Sequence, residues 1–134
     1  MKILVYDRSL EVRYLIQKYI TQISGSVEVC SVGNAAMLIP EMKNSDYRVL
    51  VLDVDNLRGF FPDLKEIIKK DCEHTIILLT LFPDKKAITK FLNQGANYCF
   101  DKIGDIDKFF ETLKSIIAEN TKIESNQCFR AVAI

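Results

Sequence analysis

The run Arg48-Val49-Leu50-Val51-Leu52-Asp53 limits this chain more than any other stretch, because it is unbroken apolar sequence that stops on a carboxylate. A strand with one face in water alternates apolar and polar residues, whereas a continuous Val/Leu run must be covered on both faces. A parallel sheet layered between helices supplies such a place. The polar loop Val54-Asp55-Asn56-Leu57-Arg58-Gly59 then begins at the carboxyl end of the sheet, where open α/β folds hold their ligands. Asp53 is therefore the first candidate functional residue.

The rest of the chain supplies the other layers. Ile3 to Tyr6 reads as a buried strand ending on Asp7-Arg8-Ser9. A helix with Val12, Leu15, Ile16, Tyr19, Ile20 and Ile23 on one side follows, with Ser9 as N-cap and Gly25 as its stop. Val27, Val29 and Val32 alternate with polar residues, the mark of a half-exposed strand. A weaker helix spans Asn34 to Lys43, and a third, from Pro62 to Lys70, buries Leu64, Ile67 and Ile68. Ile76 to Leu79 is a continuous strand ending on Thr80. Pro83-Asp84 opens a fourth helix with Ile88, Phe91 and Leu92, closed by Gly95. Tyr98-Cys99-Phe100 is a short last strand ending on Asp101-Lys102. The spacing of Ile106, Phe109, Phe110, Leu113, Ile116 and Ile117 gives the fifth helix.

Five strands alternating with five helices predict an α/β, flavodoxin-like doubly wound (βα)5 three-layer sandwich. The continuous first, third and fourth strands belong inside and the other two at the edges, which gives a parallel sheet of order 2-1-3-4-5. Residues 1–120 make this domain. Residues 121–134 are expected beyond the fifth helix, as a C-terminal extension of unknown role.

Composition narrows the function classes. The formal net charge is zero, so no basic surface for nucleic acid or an anionic membrane is expected. The N-terminal apolar run is too short for a signal-peptide core or a membrane span, so a cytoplasmic location is expected. The four cysteines, Cys30, Cys72, Cys99 and Cys128, form no CxxC pair and accompany one histidine, His74, which argues against zinc or a disulfide framework.

In a parallel sheet all strands end on the same side, so Asp7, Asp53, Thr80 and Lys102 should meet there. Each alone has an ordinary explanation as a cap, a loop charge or a strand terminator. Together they give two carboxylates, a hydroxyl and an ammonium across neighbouring strands. At this point the sequence resembles the receiver domain of two-component response regulators, including the single-domain chemotaxis type. The resemblance covers roughly residues 1–120. It rests on Lys2-Ile3-Leu4-Val5-Tyr6-Asp7 with Arg13, on Val51-Leu52-Asp53 with Gly59, on Leu78-Leu79-Thr80, and on Gly95-Ala96-Asn97-Tyr98-Cys99-Phe100-Asp101-Lys102.

The resemblance implies a phospho-switch. Asp53 would accept a phosphoryl group from a sensor histidine kinase or a phosphotransfer protein. Thr80 would bond the phosphoryl oxygens and Lys102 would pair with them. Asp7, Asp53 and the backbone carbonyl of Asp55 would hold Mg²⁺. It also implies no enzyme beyond self-phosphorylation and self-dephosphorylation. The downstream protein target would be met on the face of the fourth helix, fifth strand and fifth helix, through which a homodimer is also expected. The residue types suit phosphoryl transfer, because a hard cation with oxygen ligands and a fixed lysine offset the repulsion between a carboxylate and a phosphoryl group.

Four positions depart from the family pattern. Arg8 stands where a second acidic residue is usual, and a guanidinium cannot ligate Mg²⁺. It could fork onto Asp7 or Asp53, leave a metal-independent receiver, or turn to solvent; each arrangement weakens Mg²⁺. Leu81 replaces a small residue after Thr80 and narrows access to Asp53. Ile103 replaces the proline, often cis, that follows the lysine. Cys99 occupies the aromatic switch position, with Tyr98 facing the other side of the strand.

Three functions compete on these residues. The first is a receiver phosphorylated on Asp53. The second is an atypical pseudo-receiver, acting as a phosphorylation-independent protein-interaction module. The third, a flavodoxin-like cofactor-binding enzyme, is disfavoured because Asp7-Arg8-Ser9-Leu10-Glu11 lacks the Gly-rich phosphate cradle such a protein needs. A dimerisation module using residues 121–134 is a further reading.

Overall fold

The computed structural model of this protein describes residues 1–44, 46–56 and 74–133. Its strands are β1 (Lys2–Tyr6), β2 (Glu28–Val32), β3 (Val49–Asp53), β4 (Thr75–Thr80) and β5 (Tyr98–Asp101). They form one parallel sheet in the order β2-β1-β3-β4-β5, as the continuous and alternating runs predict. The described helices are α1 (Leu10–Ile23), α2 (Ala35–Asn44), α3 (Lys85–Asn93) and α4 (Ile106–Ala133), with a 3-10 turn at Val54–Asn56. The predicted third helix, with Leu64, Ile67 and Ile68, lies outside the described residues. Accordingly α3 and α4 are the predicted fourth and fifth helices.

Side-chain alternation along the central strands sorts the core into two layers. Leu4, Tyr6, Leu50, Leu52, Ile76 and Leu78 face α2, which buries Leu38 and Met42 against them. Ile3, Val5, Val49, Val51, Ile77 and Leu79 face α1 and α4, which contribute Ile16, Ile20, Phe109, Leu113 and Ile117. Every residue of β3 is buried, Asp53 included. A buried carboxylate is costly without partners, so that of Asp53 must find them inside.

The ends of the helices follow local chemistry, with corrections to the predicted stops. Ser9 caps α1 by accepting from the backbone N–H of Val12. The helix stops at Ser24 rather than Gly25, with the Ser24 N–H bonded to the Ile20 carbonyl. Asp84 caps α3 through the Lys86 N–H. Gly95 follows its end with φ 115°, a left-handed conformation that costs glycine little.

The largest difference is at the C-terminus. Helix α4 continues to Ala133 instead of ending near residue 120. The strong apolar stripe stops at Ile117, but a helix ends on a breaker, and residues 106–133 contain neither Gly nor Pro. The extension at 121–133 is therefore helical backbone, continuous with the domain's last helix.

Candidate functional site

The strand register alone brings the candidate residues together. Tyr6 pairs with Leu52, Asp53 with Leu79, and Thr80 with Asp101. Asp7, Asp53, Thr80 and Lys102 thus leave adjacent strands at one end of the sheet. Asp7, Asp53 and Lys102 line, with Arg8, Ser9, Val12, Asp55, Leu81 and Phe82, a cavity of about 710 Å³. Asp7 and Asp53 are each 2% exposed and Thr80 is 3% exposed.

Lys102 joins the two carboxylates. Its Nζ lies 2.7 Å from Asp7 Oδ2 and 3.3 Å from Asp53 Oδ2. Burial alone would push the ammonium down. The hydrogen bond to Asp7 and the charges of Asp7 and Asp53 outweigh burial and raise it above the ordinary lysine value. The lysine is aimed by its own backbone, whose N–H donates to the Thr80 carbonyl at 2.8 Å. The remaining oxygens accept main-chain donors: Ser9 N–H to Asp7 Oδ1 at 2.8 Å and Asp55 N–H to Asp53 Oδ1 at 3.1 Å.

Arg13 fixes the loop that carries Asp7. Its Nη1 donates to the Asp7 carbonyl at 2.6 Å and reaches the Arg8 carbonyl at 3.3 Å. It fits because Gly33 has no side chain; a Cβ there would sit 2.4 Å from Arg13 Nη1. Arg8 itself is exposed and lines the cavity mouth beside Asp7 and Asp53. Leu81 lies at the same mouth, partly exposed.

With Asp53 unmodified, Thr80 is engaged elsewhere in the site. Its hydroxyl donates to Asp55 Oδ1 at 2.6 Å, and Asp55 Oδ2 accepts the Leu81 N–H at 2.8 Å. The Phe82 N–H in turn donates to Thr80 Oγ1 at 3.0 Å. Asp55 was expected to contribute only a main-chain oxygen, and the bonds of its side chain to Thr80 and Leu81 were missed by sequence reasoning. Its position in the polar loop was the available signal; its partners lie 25 and 26 residues away.

At the departures from the pattern, Ile103 is 77% exposed and every described peptide bond, Lys102–Ile103 included, is trans. Cys99 packs into the α2-side core, while Tyr98 and Phe100 stack on one another on the opposite side of β5. Burial first, then the charges of Asp55 and Asp105, pushes the Cys99 thiol up.

Two carboxylates and a main-chain carbonyl are hard oxygen donors of the kind Mg²⁺ takes. However, among the described residues no three His, Cys, Asp or Glu side chains gather in a way that could hold a metal ion. Lys102 already sits between Asp7 and Asp53, so a cation there would share those carboxylates with its ammonium. Among the described residues no helix is long and apolar enough to cross a membrane.

No protein-family model matches the sequence, and no curated protein matches it. Solved structures do. The signal receiver domain of a DNA-binding response regulator from Colwellia psychrerythraea 34H superposes with a TM-score of 0.77 at 16% identity, covering 88% of this chain and 98% of that one. A response regulator from Thermotoga maritima gives 0.72 at 17% identity over 87% and 97%. The Vibrio cholerae chemotaxis protein CheY4 gives 0.69 at 18% identity over 85% and 96%. Sheet order, helix placement and nearly full coverage in both directions agree: the chain has the fold of the response regulator receiver domain.

Proposed function

We propose that this protein is a two-component receiver whose Asp53 accepts a phosphoryl group from a sensor histidine kinase or phosphotransfer protein. The observation that carries the reading is a buried carboxylate at the carboxyl end of the central strand, with the Lys102 ammonium 3.3 Å away. An oxygen of Asp53 attacks the phosphorus of a phosphohistidine or a small acyl phosphate. The bond to the leaving group breaks, the leaving group departs with the electron pair, and an acyl phosphate remains on Asp53. Lys102 stabilises the charge that accumulates on the phosphoryl oxygens. Mg²⁺, held by Asp7, Asp53 and the Asp55 carbonyl, would supply further charge neutralisation when bound.

The output surface lies along the β5 edge of the sheet. Leu92 on α3, Tyr98 on β5 and Ile103 after it are exposed apolar residues on the face proposed to meet a downstream protein, or a second copy of the chain. The pseudo-receiver is the second reading. It is favoured by Arg8, which stands at the cavity mouth where a further oxygen ligand would strengthen the metal site.

Incubation with acetyl phosphate and Mg²⁺, followed by intact-mass analysis, tests the first reading. The parent is expected to gain one phosphoryl group and Asp53→Asn none. A parent that gains no mass would leave the interaction module. The Arg8→Asp variant is expected to bind Mg²⁺ at least about tenfold more tightly by calorimetry, since an oxygen ligand replaces a cation. Unchanged affinity would show that Arg8 does not oppose the metal.

A further inference from the structure

The anion that a phosphoryl group would resemble is already present beside Asp53. A threonine hydroxyl has one hydrogen and a backbone amide has one, and at Thr80 and Leu81 both point at the Asp55 carboxylate, at 2.6 and 2.8 Å. These are charge-assisted bonds in a site whose neighbouring carboxylate and hydroxyl are nearly inaccessible to water. The Phe82 N–H closes the arrangement on Thr80 Oγ1 at 3.0 Å. Two consecutive residues at the β4–α3 junction are thereby tied to one loop side chain, and a third to the first of them. Leu81 and Phe82 are themselves exposed, so packing contributes little to holding the segment.

We propose that Asp55 is a positioning residue whose carboxylate stands in for phosphoryl oxygens, holding Thr80 and Leu81 in place before Asp53 is modified. This deepens the phospho-acceptor reading and rests on it. A phosphoryl group on Asp53 needs hydrogen-bond donors, and Thr80 and Leu81 can serve it only by leaving Asp55. The two anions compete for one pair of donors, and their like charge opposes sharing. The main-chain N–H of Asp55 donates to Asp53 Oδ1 at 3.1 Å, so the clamp and the acceptor are joined by one residue. Thus the unmodified protein already presents the β4–α3 segment in a fixed arrangement, and phosphorylation exchanges the anion that holds it. The exposed Leu81 and Phe82 side chains are what that segment offers to a partner.

Amide hydrogen exchange at Leu81 and Phe82, read by NMR on the full chain, tests this. In Asp55→Ala both amides are expected to exchange at least about tenfold faster than in the parent, the equivalent of one lost charge-assisted bond. Asp55→Asn, which keeps one acceptor oxygen, should fall between them. Acetyl phosphate with Mg²⁺ should restore protection in Asp55→Ala in proportion to the phosphoryl mass gained, which a merely structural role for Asp55 would not produce. Unchanged exchange at Leu81 in a folded Asp55→Ala overturns the proposal, and so does phosphoryl mass gain without recovery. Absence of mass gain in every variant counts against phospho-acceptance on Asp53 and against the stand-in role. Faster exchange in Asp55→Ala under that outcome would leave a clamp of the interaction module only.

Discussion

Replacing Lys102 by methionine is expected to lower the unfolding free energy by about 3 kcal/mol, the low end for a broken buried ion pair because this pocket opens to solvent. The substitution keeps the length of the stem and removes an ammonium that reaches both Asp7 and Asp53. In a domain of this length the loss corresponds to a fall in melting temperature of about 10 °C. Phosphoryl gain from acetyl phosphate should slow at least about a hundredfold, as expected when a preorganised cation is removed from a charged transition state.

The pH dependence provides a separate check. The Lys102 ammonium is raised in the folded protein above its ordinary value of 10.5. A raised base stabilises the fold fully below its unfolded value, and that stabilisation is lost as pH climbs through the folded value. The parent should therefore hold this contribution from neutral pH to about the ordinary lysine value and lose it beyond, whereas Lys102→Met should lack that component. Tyr6 and Tyr47 are both raised by burial, Tyr6 further by the charge of Asp53 and Tyr47 further by its bonds with Cys30 and Glu41. Their contribution to alkaline unfolding should survive in the variant. Denaturant titrations at stepped pH would separate the two; an identical alkaline limb in parent and variant would contradict the assignment.

Phe109→Ala is expected to cost about 4 kcal/mol, the centre of the range for truncating a buried phenylalanine. Phe109 is fully buried where α4 meets the sheet, with its ring against those of Phe100 and Phe110. No other aromatic of α4 is buried to the same degree among the described residues, so the cavity would open under the middle of the α1–α4 layer. The urea midpoint should fall with little change in slope. A loss under about 1 kcal/mol would mean that the helix repacks, and that α4 is held chiefly by its other contacts. Such a variant should still gain the phosphoryl group when folded, because Phe109 touches none of Asp7, Asp53 or Lys102 through the bonds that define the site.

Much of the architecture was legible because the physics that sets it is local to each strand. Val49 to Leu52 and Ile76 to Leu79 are apolar on every residue, and such strands can only sit inside a layered sheet. Glu28 to Val32 alternates, and it lies at the edge. The stop of the last helix was not legible in the same way. The apolar stripe fades after Ile117, but fading amphipathicity does not break a helix, and α4 runs on to Ala133.

The same division holds for the site. The sequence by itself determined which groups reach the carboxyl end of the sheet, because each of Asp7, Asp53, Thr80 and Lys102 follows a strand and parallel strands end together. Only the tertiary structure decided how those groups pair. Lys102 could have met either carboxylate and meets both; Thr80 could have faced Asp53 and instead donates to Asp55. Strand order is written in a pattern of burial that each segment carries alone. A hydrogen bond between residues 25 positions apart depends on register, loop path and a choice among competing acceptors, and it is settled only when the strands are side by side.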